Sequence, residues 1–356
     1  MNTVLYASPL VPVEWLAAHG VRPIWWRDSD PRGACSPDRD VDRHGEPSGI
    51  GSPLRGRRGV CPLAAAVVDS AARASASAVV LTTTCDQMRY AASWLQYQRR
   101  LPTFLMNVPS TWETETARSL YLAELDRLSR LLVALGGTRP SNEALAEVMH
   151  DFDGARARLL GIRNRLSGRA LADALIAVRE TAERNEWPSA ADSVPSSESL
   201  LNHDPVQGRP LRLAIVGGPL PESDYGLFDW IEQAGGRIVL DATEWGERTL
   251  PRAFSADSTR RDPLGELADA YFGTIPEIFR RPNHTLYEYL NRELSARHVH
   301  GLILRRYLWC DLWHAEVAVL KACCPVPVLD LDVSDSETSS SERTRGRIEA
   351  FLEMLP

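Results

Sequence analysis

Three cysteines stand where an extended segment gives way to a predicted helix. Cys85 follows the β-branched run Ser77–Thr84, Cys310 follows the apolar segment at 301–308, and Cys61 precedes Pro62, which favours the first helical position. Ligands gather beyond the carboxyl ends of parallel strands, and a helix N-terminus stabilises a thiolate. The three side chains could therefore meet at one cleft as metal ligands. Small buried thiols that only fill the core are the alternative.

The remaining candidates for metal chemistry are weaker. The sequence has no close CxxC pair, which argues against zinc-ribbon and ferredoxin-type sites, and no GxxxxGK[ST] loop for ATP. Cys35 lies in a long polar segment and is interpreted as a spare thiol. The adjacent Cys323 and Cys324 end a predicted helix and are expected to pack in the core. His314 follows Cys310 by one helical turn and is expected on the helix surface rather than in the cleft.

Charge and hydropathy exclude several classes of protein. The formal net charge is −7, so general binding to nucleic acid or to an anionic membrane is not expected. The sequence contains no run of about 18 apolar residues, so no membrane span is predicted, and the N-terminus lacks the pattern of a signal peptide. Six cysteines in 356 residues are too few for a disulfide framework. We therefore expect a cytoplasmic protein.

The order of short apolar runs and amphipathic segments predicts the positions of the three cysteines in the fold. Strand and helix signals alternate in both halves, which is typical of parallel sheets. We predict an α/β protein with two open parallel-sheet lobes of the flavodoxin or Rossmann type, joined by a helical segment, with the candidate metal site in the cleft between them. The predicted divisions are an N-terminal lobe at 1–110, a helical segment and linker at 111–210, and a C-terminal lobe with a terminal helix at 211–356.

Six fragments, in colinear order, resemble one known family. They are VEWLAAHG at 13–20 with RP at 22–23, TTCD at 83–86, PTFLMNVP at 102–109, LAIVGGPL at 213–220 with GLFDWIEQAGGRIV at 226–239 and GER at 246–248, GLILRRYLWCD at 301–311 and RIEAFLE at 347–353. Together they resemble the cluster-carrying subunits of 2-hydroxyacyl-CoA dehydratases and benzoyl-CoA reductases. The resemblance does not extend to segments 28–58 and 110–210.

The resemblance implies a cofactor and a reaction. In that family three cysteines of a subunit hold one iron–sulfur cluster, here Cys61, Cys85 and Cys310, of the [4Fe-4S] type with one iron left open. It implies an oxygen-sensitive lyase in which an ATP-dependent activator protein supplies one electron, and water leaves a 2-hydroxyacyl-CoA thioester through a ketyl radical. The implied partners are a homologous subunit, in a homodimer or heterodimer, and that activator. No proton-abstracting base is indicated.

Two alternatives use the same scaffold. One is a reductase of a small molecule that carries a double-cubane cluster, and the other is a non-catalytic partner subunit. The long polar segment at 28–58 and the tryptophans near the motifs, Trp25, Trp26, Trp309 and Trp313, depart from the pattern of a standard catabolic member and leave the substrate open.

Overall fold

The computed structural model describes residues 2–26, 54, 59–73, 76–99, 101–184, 210–333 and 340–356. The strands are β1 Thr3–Tyr6, β2 Arg22–Trp25, β3 Ala78–Thr82, β4 Thr103–Met106, β5 Leu211–Gly217, β6 Gly236–Thr243, β7 Gly301–Tyr307 and β8 Val328–Val333. The α-helices are α1 Val13–Ala18, α2 Pro62–Arg73, α3 Asp86–Arg99, α4 Glu115–Ala134, α5 Asn142–Ile162, α6 Gly168–Arg184, α7 Gly226–Gln233, α8 Ala256–Arg261, α9 Pro263–Tyr271, α10 His284–Ala296, α11 Asp311–Cys323 and α12 Ser340–Glu353.

Two four-stranded sheets share one topology. The first has the strand order β2-β1-β3-β4 and the second β6-β5-β7-β8, and every pairing is parallel. In each sheet the chain reverses its direction of winding between the first and third strands of the lobe. Open parallel sheets bind ligands outside the carboxyl ends of the strands at such a reversal. The predicted α/β fold with two parallel-sheet lobes is confirmed.

Both faces of the second sheet are covered by helices, as parallel strands require. On β5, Leu213 and Ile215 pack in a cluster with α7 and α12, whereas Ala214 and Val216 pack on the opposite face with α10 and α11. Successive side chains of a strand point to opposite faces. A strand whose two faces are both covered by helices therefore needs a continuous run of apolar residues. The same reasoning explains β3, whose five residues are all buried.

Strand β7 is longer than its apolar part. Past Leu304, β7 continues through Arg305 and Arg306, both of which are buried. Arg305 donates to a carboxylate oxygen of Asp224 and to the carbonyl of Pro219, while Arg306 donates to Asp330 at 2.9 Å. Buried guanidinium groups are tolerated when they are paired in this way, so β7 carries the chain as far as the cysteine segment.

A close backbone contact fixes the end of β5. Gly217 has φ +147°, and a Cβ built on it would lie 1.8 Å from the carbonyl oxygen of Arg305 on β7. Only glycine permits this approach. The two central strands of the second sheet therefore end side by side.

The helical segment between the sheets contacts both of them. Helix α6 packs against β2 of the first sheet and β6 of the second, and the largest apolar cluster includes residues of both halves, such as Trp245 and Tyr307. The predicted domain boundaries at 110 and 210 remain a prediction. The loop predicted at 28–58 and the linker predicted at 188–209 fall almost wholly outside the described residues. Among the described helices, none has the length and hydropathy needed to cross a membrane.

Candidate functional site

A cavity of about 620 Å³ opens where the carboxyl ends of both sheets face each other. The first sheet contributes the segments that follow β1, β3 and β4, and the second contributes those that follow β5, β6 and β7. The lining includes all three cysteines singled out from the sequence, Cys61, Cys85 and Cys310. The structure thus brings together, in one cavity, residues that lie up to 249 positions apart in the sequence, from position 61 to position 310.

Each of the three cysteines immediately precedes a helix. Their backbone carbonyls accept the first helical hydrogen bonds, from Ala65 at 3.1 Å, Arg89 at 3.2 Å and His314 at 2.9 Å. The backbone N–H groups two and three residues later, which belong to Leu63 and Ala64, Gln87 and Met88, and Leu312 and Trp313, favour the thiolate form of each cysteine. These N–H groups have no partner within the helix.

Burial nevertheless keeps the free thiols protonated. Desolvation raises the pKa of Cys61 to about 12, and the neighbouring Cys310 adds to this effect. Desolvation likewise raises the pKa of Cys85 to about 11 and that of Cys310 above its ordinary value, against the opposing effect of the N–H donors. The helix N-termini do favour the thiolates, as expected, but desolvation exceeds the effect of the N–H donors. A cation bound among the sulfurs would reverse this balance.

Gln87 connects two of the cysteine segments. Its side-chain amide donates to the carbonyl of Gly59, and its Oε1 accepts from the backbone N–H of Cys61, both at 3.1 Å. Gln87 lies in the first turn of α3, two residues after Cys85. The Gln87 side chain therefore fixes the segment that leads to Cys61 against α3, the helix that follows Cys85.

Two carboxyl groups lie on the wall contributed by the second sheet. Glu244 follows β6, and Glu277 pairs with Arg248 at 2.8 Å. Desolvation, followed by the charge of Glu277, raises the pKa of Glu244 well above its ordinary value. Glu244 in turn adds to the raised pKa of Cys85 and Cys310, which places its carboxyl in the electrostatic neighbourhood of the thiols.

Sequence reasoning did not single out Glu244. Its signal was available, since Glu244 follows an apolar strand directly, at the same kind of position as Cys85. A glutamate is common at strand ends, however, and only the fold shows that this one faces the cysteines rather than solvent.

The other sequence candidates lie elsewhere or outside the described residues. His314 is exposed on α11 and does not line the cavity, so the interpretation as a helix-surface residue is confirmed. The prediction of core packing is wrong for Cys323, which is exposed on the last turn of α11, while Cys324 is half-buried against the apolar cluster. The interpretation of Cys35 as a spare thiol falls outside the described residues.

The described residues contain no group of three or more His, Cys, Asp or Glu side chains arranged to hold a metal ion. The three thiols nevertheless line one cavity. Thiolates are the usual protein ligands of iron–sulfur clusters.

Of three comparisons with known proteins, one identifies a family. No curated protein matches the chain. Among solved structures, SsGBP in complex with GDP is 10% identical with a TM-score of 0.23, and a GTP-binding protein from the hyperthermophilic archaeon Sulfolobus solfataricus, also with GDP, is 12% identical with a TM-score of 0.20. Each comparison covers 99% of both chains, and similarity at this level supports no conclusion. A family model described as 2-hydroxyglutaryl-CoA dehydratase, D-component, matches residues 10–355, nearly the whole chain. The chain therefore belongs to the 2-hydroxyglutaryl-CoA dehydratase D-component family.

Proposed function

We propose that this chain is the iron–sulfur subunit of a 2-hydroxyacyl-CoA dehydratase, with Cys61, Cys85 and Cys310 as the cluster ligands. The observation that carries the proposal is the meeting of these three thiols in one cavity, each at the N-terminus of a helix. Membership of the family supports the dehydratase reaction.

The donor set fits a cluster better than it fits a single ion. Three protein thiolates on a four-iron cluster would each bind a different iron, so they need not point at one common centre. The paired N–H groups would stabilise the sulfur atoms once they are deprotonated, because hydrogen bonds to a charged acceptor are stronger than those to a neutral one. Hydrogen bonds from these N–H groups to the cluster sulfurs would also tune its potential.

The cavity walls would protect a reactive centre. Leu81, Phe279 and Trp313 are buried and apolar, and they line the same space as the cysteines. Apolar walls exclude water and strengthen electrostatic interactions inside the cavity. A cluster with one open iron would supply Lewis-acid and one-electron chemistry to a thioester carbonyl, and the residues of this chain would hold the substrate in place and keep the site dry.

Partners follow from the same proposal. The reaction needs an ATP-dependent activator to deliver the electron and a homologous subunit to complete the enzyme, in a homodimer or a heterodimer, and the protein would act in the cytoplasm. The products are an enoyl-CoA and water. A double-cubane reductase and a non-catalytic partner subunit are the competing functions on this scaffold, and iron content separates them.

Anaerobic reconstitution with iron and sulfide tests the proposal. The wild type should turn brown and hold about four irons per chain. Cys85→Ser and Cys310→Ser should each lose most of that iron and the visible absorption. Cys323→Ser is the matched control, because Cys323 is an exposed cysteine at the far end of α11, the helix that Cys310 precedes. This variant should load normally.

Three other outcomes would redirect the proposal. About eight irons per chain would favour the double-cubane reductase. A folded, colourless wild type would mean that the cysteines are structural, and the dehydratase proposal would then fail. A fully loaded protein that, with its activator and electron donor, converts no 2-hydroxyacyl-CoA would favour a non-catalytic partner subunit.

A further inference from the structure

A second, smaller cavity of about 50 Å³ lies away from the three cysteines, where several parts of the chain meet. Its lining comes from the ends of β1 and β2, from α5, α6 and α9, and from the turn that follows β6. Pockets for organic ligands usually measure about 300 Å³ or more. This cavity therefore has room for a few waters or for one small ion.

Arg179 of α6 lines the cavity, and its bonds go to neutral groups. Its Nη2 donates to the hydroxyl of Thr249 at 2.8 Å and to the carbonyl of Gly246 at 3.5 Å. Its guanidinium carbon lies 4.7 Å from the centre of the Trp25 ring. Nη1 is buried and has no hydrogen-bond partner among the described residues. One N–H donor of a buried cation is thus left over beside the cavity.

The carboxyl groups around Arg179 compensate its charge incompletely. Asp241 and Glu244 lie within electrostatic range of it. Desolvation raises the pKa of both carboxyls, so each compensates Arg179 less than an ordinary carboxylate would. Desolvation also lowers the pKa of Arg179 itself. Burial of a charge without a close counter-charge is costly, and an anion next to Nη1 would offset that cost.

A second buried guanidinium lines the same cavity. Arg156 of α5 uses Nη1 for Glu14 and Nη2 for Asp153, whereas its Nε is buried and lacks a partner in the described part of the chain. The side chain is only 7% exposed. Arg248 and Arg280 also keep one unpartnered nitrogen, but neither lines this cavity. Buried donors normally have a partner, and here the cavity is where one could lie.

We propose that this cavity binds one small monovalent anion, such as chloride or nitrate, between Arg179 and Arg156. The anion would accept from Nη1 of Arg179 and from Nε of Arg156. Because these arginines lie on α6 and α5, and Arg179 is bonded to Thr249 after β6, the anion would strengthen the contact of the helical segment with the second half of the chain. The proposal does not depend on the iron–sulfur cluster.

Thr249 connects the anion site with the larger cavity. Its hydroxyl accepts from Arg179 and donates to the carbonyl of Glu244, both at 2.8 Å. Glu244 in turn lines the cavity that contains the three cysteines. An anion that fixes Arg179 would therefore also stabilise that wall of the larger cavity.

Urea unfolding of the full-length, iron-free protein tests the proposal in solution. Sodium chloride is compared with sodium gluconate at equal ionic strength, because gluconate is too large to enter. Chloride should raise the folding equilibrium constant at least about fivefold. Arg179→Met should lose most of this gain. Arg169→Gln removes an exposed arginine from the same helix, where it pairs with Asp229, and should keep the gain.

Crystals of the wild-type protein soaked in sodium bromide give a second, independent measurement. An anomalous peak between Arg179 and Arg156 is expected. The proposal is overturned if the peak is missing, if chloride stabilises wild type no more than gluconate does, or if Arg179→Met keeps the full gain. A peak without any chloride-dependent gain in solution would mean an adventitious ion only. Should Arg179→Met fail to fold, the two wild-type measurements decide.

Discussion

Gln87 is the residue whose removal should weaken the site without removing a ligand. Its two hydrogen bonds join Gly59 and Cys61 to α3, and leucine can make neither of them. We expect Gln87→Leu to lose iron several times faster than wild type when the reconstituted protein is challenged with a chelator. Its stability should fall by only about 1–2 kcal/mol, because two partly exposed hydrogen bonds are lost.

A control on the same helix separates positioning from general damage to α3. Ser93 donates to the carbonyl of Arg89 at 3.1 Å on the exposed face of α3, away from the cavity. Ser93→Ala should leave the rate of iron loss unchanged. If Gln87→Leu releases iron at the wild-type rate, Gln87 does not position Cys61.

Glu244 should make the stability of the iron-free protein depend on pH. Its pKa is raised in the folded state, chiefly by desolvation, so the folded protein holds this proton more tightly than the unfolded chain does. Its stabilising contribution is complete below the ordinary pKa of 4.5 and is lost as pH rises toward the raised folded value. We therefore expect Glu244→Gln to equal wild type near pH 4.5 and to be more stable by about 1–2 kcal/mol at pH 8.

Urea unfolding at several pH values measures this difference. Glu288→Gln, an exposed change on α10, is the control and should show no pH-dependent gain over wild type. A Glu244→Gln variant that is less stable than wild type at pH 8 would show that the carboxylate is stabilised in the folded protein, contrary to the expectation.

The residues of the site differ in how far the sequence can identify them. Cysteine is rare and chemically distinctive, so three cysteines at predicted helix starts were identifiable before their meeting in one cavity was known. Gln87 and Glu244 are ordinary polar residues whose roles depend on the partners that the fold supplies, Cys61 for one and Glu277 for the other. Those partners lie outside the neighbouring sequence, so no local sequence pattern can identify the roles of Gln87 and Glu244.

At the scale of elements, the contact between β5 and β7 gives a prediction about two glycines. Gly217→Ala would force a Cβ into the carbonyl of Arg305, so the strands would have to separate. We expect a loss of about 3 kcal/mol or more, or failure to fold. Gly235 has φ +83° but has open space around its missing Cβ, so Gly235→Ala should cost only about 1 kcal/mol of backbone strain.

Comparison of the two urea midpoints checks the prediction, because both changes add one methyl group at a residue with positive φ. Equal losses in the two variants would mean that backbone strain alone explains both and that the approach of β5 to β7 is not restrictive.

The elements themselves were predictable where their patterns are long. The run Ser77–Thr84 contains β3, and the amphipathic patterns at Thr285–Ala296 and Leu312–Ala322 predict α10 and α11 to within one residue of their observed bounds. Strand β1 was missed, because Thr3–Tyr6 has only four residues, too few to establish a period, with Pro9 close behind. Yet β1 lies inside its sheet, between β2 and β3. Pairing with these two strands stabilises the extended conformation that the short local sequence does not specify.

At the scale of the whole molecule, one buried carboxylate links three parts of the chain. Glu14 on α1 accepts hydrogen bonds from Arg156 on α5 and from the hydroxyl of Tyr271 on α9, both at 2.6 Å. All three residues are buried. The first lobe, the helical segment and the second half of the chain thus share one polar contact inside a common apolar cluster.

This arrangement predicts that the parts unfold together and that Glu14 contributes strongly to their association. Among the described residues, Glu14→Ala would leave the buried Arg156 with Asp153, at 3.0 Å, as its remaining carboxylate partner. We expect a loss of about 3–5 kcal/mol, the usual cost of removing one partner of a buried ion pair. Asp126→Ala removes two exposed arginine contacts instead and should cost less than about 1 kcal/mol.

Chemical unfolding followed by two probes tests both points. Far-ultraviolet circular dichroism reports on all helices, and tryptophan fluorescence reports in part on the contact between Trp26 and Trp245, whose rings lie 5.4 Å apart across the two halves. Coincident transitions in wild type are expected if the halves form one cooperative unit. If the fluorescence transition precedes the loss of helix in wild type, the two halves separate before they unfold. The cavity would then be an opening between independently stable lobes, and Glu14→Ala should move only the first transition.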